Sequence, residues 1–360
     1  MTAPPDDEEV RARLDEAVTA VAAPDVVFAL SRHGHRTVRC GGTAPPPPVP
    51  RDRLRYEIGS ATKTFTGLLL ARLTTSGALP EHAVAATCLD PGRPAGHHPV
   101  TLTHLITHTS GLPGLPADLY PRALPHWYTN PYAHYPAERV VRAFLRYRPR
   151  RRPGTRWAYS NFGVAVLGHA LAAAAGASWE ALLTGHVLRP LGLDGIALRA
   201  GGPDTDATGH RSDGTTPTPP LRIGGFQAAG AVRAGPHDLL TFLEAHLRPE
   251  GSPLADALHE VRRPVLRRGR GHRDAHSLTW FLHETDQGPM YFHAGATSGQ
   301  TAFLSFCPGT GTALVALSTR RYSRRDALIP TAYGLLGLLP GQGGLRSVRE
   351  AGAAQGCERG

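Results

Sequence analysis

Lysine is almost missing from this chain. Of 39 lysine and arginine residues, only Lys63 is a lysine. Cysteine is scarce too: Cys40, Cys88, Cys307 and Cys357 lie far apart with no paired spacing, which argues against a disulfide framework or a cysteine zinc site. No window approaches about 18 uninterrupted apolar residues, so no membrane span is expected. The opening MTAPPDDEEVRARLDEAV is acidic where a secretory signal has a basic stretch and an apolar core, and a cytoplasmic location is expected. No internal repeat is visible.

What is present is an ordinary globular composition over 360 residues, 41% hydrophobic and 19% charged. The formal charge of +10 invites a nucleic-acid reading. The arginines are scattered, however, and the densest run, Arg146 to Arg156 (RYRPRRRPGTR), is broken by prolines and matches no nucleic-acid-binding signature. A solvated basic loop is expected there, with neither nucleic acid nor membrane as partner.

A first amphipathic helix is predicted from about Glu8 to Val21. Val26–Leu30 and Arg36–Cys40 flank His33-Gly34, which reads as a hairpin turn. Prolines make Gly41–Pro50 an exposed loop, and Leu54–Ile58 a short strand leading to Ser60. From Ser60 the pattern becomes helical, with Phe65 and Leu68 to Leu70 on the buried face and Gly77 at the end. A long helix is predicted over Phe162–Ala175. Thr301–Cys307 and Ala313–Ser318 read as strands joined by Pro-Gly-Thr-Gly, followed by a helix over Asp326–Leu338.

Strands at both ends with helices between predict an α/β (α+β) fold: an antiparallel sheet flanked by helices, with an inserted, mostly helical lobe. One catalytic domain over 1–345 is expected. Its α/β lobe covers about 22–85 and 265–340, its helical lobe about 86–264, and 346–360 forms a disordered tail.

The chemistry begins at Ser60-Ala61-Thr62-Lys63. Three residues make about one helical turn, so Lys63 stands beside Ser60 on one face. A serine hydroxyl needs a base to become a nucleophile, and a partly desolvated amine can serve while a guanidinium cannot. The lone lysine therefore falls where arginine would fail. The helix start offers unpaired N–H groups for a developing oxyanion. Tyr159-Ser160-Asn161 precedes the long helix, where Ser160 or Asn161 reads equally as an N-cap. His293-Ala294-Gly295 is placed at the opening of the first of the C-terminal strands.

In this order the three motifs resemble the β-lactamase-type serine hydrolases: SxxK, then Tyr-x-Asn, then Lys- or His-x-Gly. Further landmarks are LTHLITHTSGLP (102–113), YSNFGVAVLG (159–168), LRPLGL (188–193) and AAGAVRAGPHD (228–238), so the resemblance runs from about Val26 to Leu338. The Tyr-x-Asn form is that of the class C β-lactamases, D-alanyl-D-alanine carboxypeptidases, D-aminopeptidases and related esterases and transacylases. The resemblance implies Ser60 as nucleophile, Lys63 as its activator and Tyr159 as proton shuttle. It implies Asn161 as a support for Lys63 and the acyl side chain, and His293 with Gly295 in the opposite wall. By position, the backbone N–H groups of Ser60 and Ala296 form the oxyanion hole. No metal or organic cofactor is implied.

Two departures matter. Ala294 and Ala296 stand where many relatives carry hydroxyls that bind a substrate carboxylate. Each lost charge-assisted hydrogen bond is worth about 1.5–3 kcal/mol, which disfavours penicillins and free peptide C-termini. Arg233 and Arg320 are candidates to restore such a pocket. The expected activity is that of a serine hydrolase or acyltransferase on a small-molecule or peptide ester or amide, an esterase or transacylase of specialised metabolism, with water or an amine as acceptor. A D-peptidase, D-amidase or β-lactamase-like hydrolase is the alternative within enzymes, and a catalytically silent binding protein the alternative outside them.

Overall fold

The computed structural model describes residues 7–94, 98–127, 129–148, 152–268 and 274–338. The tail expected after 345, and part of the basic run at 149–151, lie outside these residues. Eight strands form one antiparallel sheet: β1 (Val26–Arg32), β2 (His35–Gly41), β5 (Leu266–Arg268), β6 (Asp274–His276), β7 (Phe281–Thr285), β8 (Gly288–Ala296), β9 (Thr301–Cys307) and β10 (Thr312–Ser318), in the order β2-β1-β10-β9-β8-β7-β6-β5. The short β3 (Tyr56–Glu57) and β4 (Arg233–Ala234) pair separately. The architecture is the one predicted, an antiparallel sheet flanked by helices.

Both sheet faces are covered, which explains why the central strands read as continuous apolar runs rather than alternating ones. Alternate residues still part to opposite sides. Val26, Phe28 and Leu30 join Phe303, Leu314 and Ala316 under helices Asp7–Ala20 and Leu328–Leu338. Val27 and Ala29 join Leu304, Val315 and Leu317 in the larger core toward the other helices. The first hairpin turns at His33-Gly34, whose φ values of +50° and +92° suit a tight two-residue turn. No single described helix is long and apolar enough to cross a membrane.

Three expectations need correction. β5, β6 and β7 precede the strand carrying His293, so that strand is not the first of the C-terminal ones, and His293 lies within β8 rather than at its opening. The missed strands are short and polar, as in Leu266-Arg267-Arg268, and show no apolar run. Helix Pro236–Leu247 packs on β1, β9 and β10, and Ala255–Arg262 packs on helix Thr62–Thr75, so both belong beside the sheet rather than in the inserted lobe. Likewise helix Asp7–Ala20, placed before the α/β lobe, packs on β1 and β2. The inserted lobe is organised around helix Asn161–Ala175, which touches Ala85–Leu89, Leu102–Ile106, Ala137–Arg146 and Gln227–Gly230.

Candidate active site

Ser60 sits in a single 3-10 turn, Gly59–Ala61, that leads directly into helix Thr62–Thr75. This helix is buried on nearly every side from Thr62 to Ala71, not only along the face of Phe65 and Leu68. An all-round buried helix must satisfy its polar side chains internally. Thr62 Oγ1 accepts from the Val232 N–H at 3.0 Å, Thr66 Oγ1 donates to the Ala228 carbonyl at 2.7 Å, and Thr279 Oγ1 donates to the Lys63 carbonyl at 2.9 Å. These bonds lock the nucleophile helix between segment 228–232 and the sheet.

The turn also meets the end of β8 at very short range. A Cβ on Gly295 would stand 1.8 Å from the Ile58 carbonyl oxygen, and one on Gly59, at φ +49°, would stand 2.5 Å from the Ala296 oxygen. Only glycine allows both approaches. Gly295 therefore shapes the opposite wall by bringing β8 against the Ser60 turn.

Lys63 is buried, with 1% of its surface exposed. Its Nζ donates to Ser60 Oγ at 3.0 Å and to the Ala229 carbonyl at 2.9 Å. The Tyr159 hydroxyl donates to the same Ser60 Oγ at 2.9 Å, and Lys63 Nζ lies 5.2 Å from the centre of the Tyr159 ring. The fold thus brings together three side chains from two distant segments. Ser160 is the N-cap of the long helix, accepting from the Gly163 N–H at 2.8 Å, so a capping residue stands between Tyr159 and Asn161, which both line the cleft above Ser60.

His108, unassigned from sequence, sets the Tyr159 loop. Its φ of +58° is uncommon for a residue with a side chain. Its carbonyl accepts from the Ala158 N–H at 2.8 Å and its Nδ1 from the Ser160 N–H at 3.2 Å. Its ring centre lies 4.4 Å from that of Tyr159. Tyr159 is therefore held by backbone bonds just before and just after it and on its ring face. The signal was present in the His-Thr-Ser-Gly-Leu-Pro stretch, but the contact spans the fold.

A cleft of about 450 Å³ opens above Ser60. Ser60, Tyr159, Asn161, Gly295 and Ala296 line it, as do Thr297, Ser298 and Arg321. Asn161 Nδ2 donates to the Tyr132 hydroxyl at 3.4 Å, while its Oδ1 is buried with no hydrogen-bond partner among the described residues. Ser298 Oγ is in the same condition. His293 is placed differently from expectation. It is 1% exposed, is absent from the cleft lining, and pairs its Nδ1 with the Ala294 carbonyl at 2.7 Å. Burial, followed by the positive field of Lys63, holds its pKa down at about 3. It lies behind the β8 wall of the cleft, within reach of the Lys63 charge, rather than in the lining.

The two arginines proposed for an anion pocket are also committed elsewhere. Arg233 is buried in an ion pair with Glu57 at 2.8 Å, and Arg320 donates to the carbonyls of Ser212 and Ala22. The cleft's cation is its neighbour Arg321, which follows the last sheet strand and was not singled out by any motif.

The chain compares widely with known proteins. A family model described as "Beta-lactamase" matches residues 10–338. A β-lactamase from Pseudomonas fluorescens is 24% identical over 78% of this chain and 83% of its own length. Penicillin-binding protein 4 from Amycolatopsis lactamdurans is 26% identical over 71% of this chain and 70% of its own. Among solved structures, a class C β-lactamase superposes with a TM-score of 0.77 at 19% identity, covering 95% of this chain and 99% of that one. A β-lactamase/D-alanine carboxypeptidase from Pseudomonas syringae gives 0.77 at 19% identity, covering 92% and 98%. With the family model spanning nearly the whole described chain, this protein belongs to the β-lactamase family of serine hydrolases.

Proposed function

We propose that this enzyme is an esterase or transacylase that forms an acyl-enzyme on Ser60 and passes the acyl group to water or an amine. The family acts on small-molecule or peptide substrates. The observation that carries the proposal is the convergence on Ser60 Oγ of Lys63 Nζ at 3.0 Å and the Tyr159 hydroxyl at 2.9 Å. Two proton-handling groups on one hydroxyl are what both halves of an acyl transfer require.

In the first half, Ser60 Oγ adds to the carbonyl carbon and its proton moves to Lys63 or, in relay, to Tyr159. The negative charge on the carbonyl oxygen faces the N–H groups of Ser60 and Ala296. The C–O or C–N bond to the leaving group then breaks, and the proton taken from Ser60 passes to the departing alkoxide or amine. In the second half, water or an amine adds to the acyl-enzyme, gives its proton to the same pair, and Ser60 regains its proton as its ester bond breaks.

Ala294 and Ala296 in the cleft wall favour an ester or amide without a carboxylate at that end. A second reading, D-peptidase, D-amidase or β-lactamase-like hydrolase, draws support from Arg321 and Ser298 in the lining, which offer a cation and a hydroxyl to an anion. Intact-protein mass spectrometry after exposure to a fluorophosphonate, a penicillin and small activated esters separates them. An adduct with ester and phosphonate but none with penicillin supports the esterase or transacylase. Rapid acylation by penicillin puts the second reading first. Ser60→Ala abolishes every adduct and Lys63→Arg nearly does, because a guanidinium stays protonated at neutral pH. Undiminished turnover in either variant overturns the assignment.

A further inference from the structure

The chain is only 7% aromatic, yet six aromatic side chains, Tyr120, Trp127, Tyr132, Tyr159, Phe226 and Tyr322, line the cleft. Tyr159 belongs to the proton relay. Four of the others come from the inserted lobe and touch in two pairs. Tyr120 and Trp127 stack at 5.9 Å with planes 24° apart, and Tyr132 meets Phe226 at 4.9 Å, tilted by 48°. Tyr135 braces Phe226 from behind at 5.9 Å and is itself pinned by its hydroxyl to Asp118 at 2.7 Å. The wall is closely packed where it is deep and open at its mouth, where Tyr120 remains 48% exposed.

Placement gives the wall its meaning. Tyr132 holds Asn161 through its hydroxyl, and Asn161 follows Tyr159 by two residues, so the ring wall begins beside the nucleophile and runs outward to Tyr120. Leu115, Leu221 and Ile223 add apolar surface to the same lining. Among the described lining residues there is no carboxylate, and the one guanidinium, Arg321, stands among residues following the sheet. A cationic substrate would meet no counter-charge here. A flat apolar group, by contrast, would exchange water for ring faces and edges, an interaction that favours aromatic over aliphatic groups beyond area alone.

We propose that the cleft selects a neutral or anionic ester or amide carrying an aromatic ring on one side of its scissile carbonyl, bound along Tyr120, Trp127 and Tyr132, with the buried Phe226 backing Tyr132. This rests on the acyl-enzyme reading of Ser60, and the test separates the two. Three esters are compared: trifluoroethyl acetate, trifluoroethyl phenylacetate with the ring in the acyl group, and phenyl acetate with the ring in the alcohol. Each kcat/KM is divided by the ester's uncatalysed hydrolysis rate, which removes differences in leaving-group strength.

One aromatic ester exceeds trifluoroethyl acetate by about tenfold or more in that ratio, and its identity says whether the ring belongs to the acyl group or the alcohol. Tyr120→Ala and Trp127→Ala bring the preference down toward one. Tyr120 is half exposed, so its replacement spares the core, and a melting curve checks both variants. No preference in the native enzyme, alongside a Ser60 adduct from small esters, overturns this proposal and leaves the acyl-enzyme reading intact. A preference that survives both variants overturns the assignment to this wall, and no adduct from any ester overturns the reading beneath it.

Discussion

At the scale of single residues, the active serine depends on a histidine that never touches it. His108 accepts from the Ser160 N–H through Nδ1 and from the Ala158 N–H through its carbonyl, so one residue fixes the backbone just before and just after Tyr159. With Nδ1 accepting, the proton of the neutral ring sits on Nε2. The side-chain bond can be separated from the ring contact by substitution. Asn carries an acceptor at the equivalent δ position and tolerates a positive φ, whereas Phe keeps a ring but loses the acceptor. His108→Phe should lower kcat about 10- to 100-fold on an activated ester with little change in KM, because a hydroxyl displaced by an ångström wastes its proton transfer. His108→Asn should retain most of kcat. Equal losses in both variants would make the ring, not the acceptor, the source of order. Ser60, Lys63 and Tyr159 were legible in the sequence because helical spacing and motif order show them directly. His108 and Arg321 were not, since each acts across a contact that exists only after folding. His293 misled because the motif fixes its place on β8 but not whether its side chain reaches the cleft surface or is buried behind it.

At the scale of elements, the Ser60 turn is anchored by a buried ionic knot. β3 lends Glu57, whose carboxylate takes the Arg233 guanidinium of β4 at 2.8 Å and the Leu221 N–H at 2.7 Å. Asp206 approaches the same guanidinium at 3.6 Å and binds Arg55 at 2.7 Å. Leu221 is part of the cleft lining, so the knot joins the strand before the nucleophile to the substrate wall. Removing one member of a buried pair leaves the other charge without its compensation, which costs about 3–5 kcal/mol. Glu57→Gln should therefore lower the unfolding free energy by about 3 kcal/mol in urea, and a loss below about 1 kcal/mol would show that Asp206 alone suffices. Sequence patterning found the elements that carry their own signal. The turn at His33-Gly34 and the apolar runs of β9 and β10 are local statements about conformation. Which layer Pro236–Leu247 joins is not local: its apolar face announces a helix, and only the packing against β1, β9 and β10 decides that it covers the sheet. The strands Leu266–Arg268 and Asp274–His276 are three residues each, too short to show a period.

At the scale of the whole molecule, the interior holds histidines in their uncharged form, and this ties stability to pH. His246 is fully buried between Phe242, Trp280 and Phe306, with Nδ1 on the Phe242 carbonyl at 2.8 Å, and burial holds its pKa down at about 4. His293, beneath the active site, is held at about 3. Both values lie below the ordinary 6.5. Between them and 6.5 the unfolded chain takes up protons that the folded chain refuses, so stability is full above about pH 6.5 and falls as pH drops. Each histidine contributes a slope of up to about 1.4 kcal/mol per pH unit. Asp238 and Asp326, raised by burial, act in the opposite sense, but only as pH approaches their own titration above the ordinary 3.8. The histidine share is therefore sought between pH 6.5 and 5, where His104 and His169, also lowered by burial, add to it and the two aspartates oppose it. Urea midpoints measured across that interval should fall steadily with acid, and His246→Leu should flatten the dependence by about one proton's worth while leaving the share of His293. A slope unchanged by His246→Leu would mean that the charge refused by the core is refused elsewhere.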